Sequence, residues 1–197
     1  MAGTDSNKVF LLGPDQSTTT GAIQKAATSV TAPTDARTTL TTGWSSACGY
    51  LSESGVTLNI NRSTTTIKDW GMNVVRVATT DFGTQVTGEL LQMDGDGAKF
   101  LFGDANVTVT AATTTKPETV KVSIGPSLPD ISSYAFNMKD GNRRGRIYVP
   151  KGQITQVGSP KFVPGSGNVW PFTMDCYDDG TGHSAYLFTD DGVVASA

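Results

Sequence analysis

The stretch Trp170-Pro-Phe-Thr-Met-Asp-Cys176 sets Trp170, Phe172, Met174 and Cys176 on one face, and Thr173, Asp175 and then Tyr177 on the other. Side chains alternate across a strand with a period of two, so this spacing predicts β-structure with one face in a core. The glycine turn Asp179-Gly-Thr-Gly182 follows and leads into a last strand, Ser184 to Thr189. Upstream, Arg146-Ile-Tyr-Val149 is closed by Pro150-Lys-Gly, and Asp140-Gly-Asn marks a turn after the alternating Tyr134, Phe136 and Met138. Val107 to Thr110 and Val120 to Ile124 alternate as well.

The same period reaches back to Val56-Thr-Leu-Asn-Ile60. Ile67 to Thr79 carries Trp70, Met72, Val74, Val75 and Val77, which predicts a longer strand buried on more than one side. Thr79-Thr-Asp-Phe-Gly83 is then expected to turn that strand into the next, with Phe82, Val86 and Leu90 pointing one way. Asp94-Gly-Asp-Gly97 breaks the pattern. It lacks the ligands of a calcium loop, since Ala98 and Lys99 stand where oxygen and glycine are needed, so it reads as the N-cap of a short helix, Ala98 to Phe102, ended by Gly103. Nine or ten strands and one short helix predict a mainly β sandwich or barrel.

Composition agrees. Of 197 residues 29 are threonine, a β-branched type suited to a pleated surface, and only 17% are charged against about 25% in an average domain. A net charge of −3 leaves no global basic footprint for nucleic acid. Apolar runs such as Val9-Phe-Leu-Leu12 are too short to span a bilayer, and the N-terminus does not read as an export signal. Cys48 and Cys176 read as free thiols, with Cys176 in the core stripe. The first fifty-odd residues, with Ser17-Thr-Thr-Thr20 and Thr38 to Thr42, form a polar tract whose composition reads either as a disordered arm or as an arm that orders only against a partner.

Signals for catalysis are thin. The single histidine, His183, sits beside a glycine turn, and neither a nucleophile elbow nor a phosphate-cradling glycine loop is present. No cofactor and no metal centre is expected, and the chain does not read as an enzyme. Charge is uneven, however. Lys139 to Lys151 holds Lys139, Arg143, Arg144, Arg146 and Lys151 against Asp140, while residues 171–197 hold the pairs Asp178-Asp179 and Asp190-Asp191 with no cation. A basic edge can meet an acidic edge on a neighbouring copy, which builds rings or filaments.

The order of segments resembles the major tail tube proteins of long-tailed, non-contractile bacteriophages. The likeness runs through Ala32-Pro-Thr-Asp-Ala36, Gly43-Trp44, Gly49-Tyr50-Leu51-Ser-Glu-Ser-Gly55-Val56 and Ile67-Lys-Asp-Trp70-Gly. It continues in Val86 to Met93, Arg144-Gly-Arg-Ile-Tyr-Val-Pro150, Gln153 to Val157, Trp170 to Asp178 and Tyr186 to Asp190. The resemblance implies two packed antiparallel sheets with one short helix, an arm over residues 1–50, and a tube domain over 51–197 without an appended immunoglobulin-like domain. It further implies a structural virion protein, assembled in the bacterial cytoplasm, whose six-membered rings stack into a hollow tube. Its partners are then other copies of itself, a tape-measure protein and genomic DNA in the lumen, and terminator and distal tail proteins at the ends, with no membrane insertion. Four strands from each of six copies give a backbone diameter of about 50 Å and a lumen of about 40 Å. Arg143, Arg144, Arg146, Asp178, Asp179, Asp190 and Asp191 are the expected subunit-interface residues. A β-sandwich adhesin is the alternative of a different class, but it calls for an exposed aromatic platform, and Trp44, Trp70 and Trp170 read as anchoring or core positions.

Overall fold

The computed structural model of the chain describes residues 4, 8–15, 22–40, 42–45, 48–160, 162–165 and 167–194. Residues 16–21, in the threonine-rich part of the polar tract, lie outside them. Among the described residues ten strands are formed: β1 (Gly13–Pro14), β2 (Ile23–Ala26), β3 (Leu51–Lys68), β4 (Val74–Leu90), β5 (Val107–Thr110), β6 (Thr119–Val122), β7 (Ser132–Asp140), β8 (Arg143–Val157), β9 (Trp170–Cys176) and β10 (Tyr186–Asp190). One helix, α1 (Gly95–Phe102), follows β4. Eight strands make one antiparallel sheet in the order β1-β7-β8-β9-β4-β3, with β2 also on β7 and β10 also on β8. This sheet curls into a half-barrel, and β5 and β6 form a small second sheet. The mainly β class with one short helix is therefore observed.

The alternation around Trp170–Cys176 sets the core. Phe172, Met174 and Cys176 on β9, with Thr84, Val86 and Leu90 on β4, are buried on one side of the sheet. Helix α1 closes that side. Asp94 is its N-cap, accepting from the Gly97 amide at 2.8 Å. Gly103 ends it at φ 82°, a left-handed position that suits glycine. Phe100 then inserts between strands, edge-on to Phe172 at 5.0 Å and to Tyr134 at 5.6 Å. Gly95 is required on the outer side, since a Cβ there would meet Val109 of β5 at 2.8 Å. Cys48 and Cys176 are both free and buried, and burial pushes each thiol up to about 12.

Two expectations are corrected. The turn between β3 and β4 is not at Thr79–Gly83 but at Asp69–Asn73, and the run Ile67 to Thr79 spans a hairpin tip rather than a buried strand. Apolar density suggested a core strand, but the punctuation lies in Asp69 and Asn73. The Asp69 carboxylate accepts from the Asn73 amide at 2.8 Å and closes the loop. The turn-like residues Thr79-Thr-Asp81 instead mark a β-bulge. Ser63 pairs with Asp81 and Thr64 with Thr79, so Thr80 is the extra residue. The second correction is Pro150, which does not end a strand. Strand β8 runs through it, pairing with β10 up to Tyr148 and with β9 from Gly152. A proline lacks the amide proton, and it falls where β8 changes partner and needs no ladder bond.

Candidate assembly surfaces

The sequence-predicted charges fall on the side of the sheet where β7, β8 and β10 meet. Arg143 and Arg144 open β8 just after the Asp140–Asn142 turn. Arg143 pairs with Asp140 at 3.1 Å, and Arg144 donates to the carbonyls of Gly141 and Arg143. Arg146 differs from both. It is 3% exposed, and its guanidinium donates to the Asn137 Oδ1 at 2.7 Å, the Asp35 carbonyl at 2.7 Å and the Thr38 carbonyl at 2.9 Å. It thus fastens residues 35–38 to this chain's own sheet. Gln24, also buried, extends the network: it accepts from Asn137 and donates to the carbonyls of Leu40 and Ser45. Much of the polar tract before residue 46 is therefore a strap on the sheet, with Trp44 edge-on to Tyr148 at 6.2 Å.

The two acidic pairs stand at opposite ends of β10. Asp178 and Asp179 shape the turn before it. Asp178 accepts from the Gly180 amide at 2.5 Å. Asp179 accepts from the Tyr186 hydroxyl at 2.5 Å and from the Thr181 amide and hydroxyl at 2.7 Å. Those bonds, the Tyr186 hydroxyl first, hold its carboxyl well below the usual range. At the other end Asp190 lies opposite Arg144 in register, so one acidic and one basic residue already meet within one copy. Asp191 accepts from the Val193 amide.

Arg37 is the residue that sequence reading missed. It pairs with the Asp190 carboxylate through Nε and, at 2.9 Å, through Nη2, and it donates to the Asn142 carbonyl at 2.8 Å. Nothing in the polar tract singled out this one cation, because its partner lies 153 positions away. Arg37, with the Gly192 amide, lowers Asp190 to about 2. A depressed carboxylate stabilises the folded state above its unfolded value of 3.8 and loses that contribution as pH falls toward 2. Pepsin cleavage within residues 34–40 is expected to be absent at pH 4 and to rise between pH 4 and 2. Asp190→Asn should already be cut at pH 4; equal resistance of the two proteins at that pH refutes the clamp.

A second surface is apolar. Strand β4 pairs with β9 only from Thr84 onward, so the β3–β4 ribbon continues alone for about ten residues, roughly 33 Å. At its tip Trp70 is fully exposed at 102%, and Met72, Val74, Val75 and Val77 are exposed too. Trp70 is thus not a core position. Met72 sits at φ 65°, the one described non-glycine residue in the left-handed region, at a cost of about 1 kcal/mol. Bonds between Asp69 and Asn73 at 2.8–3.2 Å lock this loop, so Trp70 is carried on a fixed tip.

A third surface is the face of the sheet turned away from the core. Thr57, Asn59, Gln85, Thr87, Thr173 and Asp175 share it by register. Asn59 donates to the Thr87 hydroxyl at 3.3 Å and Gln85 to Asp175 at 2.7 Å. The four-stranded part of the sheet, β3-β4-β9-β8, ends in two open edges: among the described residues β3 pairs only with β4, and Gln153–Val157 of β8 only with β9. No group of three or more His, Cys, Asp and Glu that could hold a metal occurs among the described residues, and no helix is long and apolar enough to cross a membrane.

No curated protein matches the chain. A family model described as "Phage tail tube protein" matches residues 16–197, which takes in every strand but β1 and every surface above. The match covers most of the chain, and the chain belongs to the phage tail tube proteins.

Proposed function

We propose that this tail tube protein joins edge to edge into rings of six, and that the rings stack into the hollow conduit through which a long-tailed phage delivers its genome. The observation that carries this reading is the four-stranded sheet with two open edges, one core face and one polar face. An open edge is an aggregation liability in a monomer. Here the outer edge of β3 in one copy meets Gln153–Val157 of β8 in the next, and repetition closes a barrel. The face bearing Thr57, Asn59, Gln85, Thr87, Thr173 and Asp175 then lines the lumen. Hydroxyls and amides there offer DNA and a tape-measure protein a surface without dense cations.

The charged rim lies outside that face. Arg143 and Arg144 of one copy face Asp178, Asp179 and Asp191 of another, while Asp190 is held by Arg37 and Arg146 acts from behind by fixing the strap. Terminator and distal tail proteins cap the ends, assembly takes place in the host cytoplasm, and no catalytic step is involved. Electron microscopy of the purified chain at rising concentration tests the reading. Rings and then tubes are expected; monomers at every concentration, even after addition of a tail initiator complex, refute it.

A further inference from the structure

We propose that the pocket between the strap and the β7–β8 hairpin is a binding site for a phosphate-class dianion. The site is complete within one copy of the chain, so it does not depend on the tube reading.

The register of β7 and β8 sets up the charge. Lys139 lies directly opposite Arg144, so two cations face each other across the strands with Cβ atoms about 5 Å apart. Like charges in that position destabilise a sheet unless an anion stands between them. Arg146, two residues along β8, shares the same face. It is buried with uncharged acceptors alone, the Asn137 side chain and the carbonyls of Asp35 and Thr38. Buried charges are ordinarily paired, yet among the described residues none of these three cations makes an ion pair. Asp190, opposite Arg144 on β10, gives both carboxylate oxygens to Arg37. Asp35 acts on Arg146 only from a distance, its oxygens committed to the Thr38 hydroxyl and to the amides of Arg37 and Thr38.

A pocket of about 210 Å³ opens over this cluster, walled by Lys139, Arg144 and Arg146 from the sheet, by Arg37 and Thr39 from the strap, and by Asp15. That volume holds a tetrahedral oxyanion with a few waters. With Arg37 neutralised by Asp190, three cations on the wall face the single carboxylate of Asp15, and a dianion cancels the difference. Donors remain for it. Arg144 commits Nη1 to two carbonyls and keeps Nε and Nη2, while Arg146 keeps one hydrogen on each Nη. Lys139 is exposed at the mouth. Phosphate answers this set better than chloride does, because its oxygens accept from several directions and each bond is charge-assisted. Bound there, the ion joins the strap at Thr39 to β7 and β8.

Inorganic phosphate tests the site on the full chain kept dilute, against sodium chloride of equal ionic strength at neutral pH. Tm is expected to rise by roughly 4 °C once phosphate stands about tenfold above its dissociation constant, and hydrogen exchange in residues 35–40 to slow. Lys139→Gln changes an exposed position. It is expected to melt no lower than the wild type in chloride, because it relieves the facing pair, and to lose most of the phosphate shift. Lys121→Gln, at an exposed position of β6, is expected to keep the whole shift. A wild-type protein that phosphate stabilises no more than chloride does overturns the site. So does an equal shift in the wild type and Lys139→Gln, which shows an adventitious ion only. A duplex oligonucleotide that stabilises the chain where free phosphate does not puts the contact on nucleic acid and overturns the free-ion assignment.

Discussion

Arg146→Ala is expected to destabilise the subunit by about 3 kcal/mol, a drop in Tm of roughly 10 °C for a chain of this size. The guanidinium is 3% exposed and makes three hydrogen bonds, to Asn137, Asp35 and Thr38, the last two through backbone carbonyls. Burial lowers its pKa, with Asp35 partly opposing, but an arginine stays charged in a folded protein. Alanine removes the cost of burying the charge, yet it leaves the two carbonyls and Asn137 facing a cavity. Those unmet acceptors outweigh the relieved desolvation, as when one partner of a buried polar pair is deleted. Arg146→Lys should recover less than half of the loss, because one ammonium cannot span three acceptors spread across β7 and the strap. Thermal melting gives the size of the effect, and hydrogen exchange locates it in residues 35–40. A loss below about 1 kcal/mol, with exchange unchanged in that segment, rejects the strap as a structural element.

Alternation made β9 and the base of β4 legible, because each has a buried face and a polar one: Phe172, Met174 and Val86 sit in the core that their spacing predicted, whereas β7 is buried on both faces from Ser132 to Asn137. Helix α1 was legible from its cap, Asp94, and its stop, Gly103. The hairpin was misread for a physical reason. Burial predicted from apolar density assumes a core within one chain, and Ile67 to Val77 carries that density where the chain has no core. Local chemistry at Asp69 and Asn73 was the better guide to the turn. Pro150 misled in the opposite way: proline marks a missing ladder bond, and a strand that changes partners can spare one. The charged rim was half legible. Sequence located the cations and carboxylates, but it could not show that Arg146 is consumed inside the chain, nor that Arg37 reaches Asp190. Both facts depend on contacts more than 100 positions apart.

The polar face of the sheet carries the other large effect. Thr87→Lys with Thr173→Lys is expected to leave rings and tubes intact and to reduce infectivity at least 100-fold. The two positions are direct cross-strand neighbours on β4 and β9, on the side away from Val86 and Met174, so the core is untouched. In the proposed ring of six, with this face turned to the lumen, each ring gains about twelve cations. A strand run of roughly 46 Å tilted at about 45° gives a ring rise near 33 Å, over which duplex DNA carries about twenty phosphate charges. Net of the six Asp175 carboxylates on the same face, the lysines of each ring then offset about a third of the charge passing through it, and the same hold repeats at every ring along the tube. The wild-type face offers Asn59, Thr87 and Gln85 instead, groups that exchange hydrogen bonds with water at little cost and bind no phosphate strongly. Thr87→Gln with Thr173→Gln adds similar bulk without charge and is expected to keep infectivity, which separates charge from narrowing. Raised salt should partly restore DNA release from the lysine tubes in vitro, because counterion release drives the attraction. Lysine tubes that release DNA at the wild-type rate in low salt place this face outside the lumen.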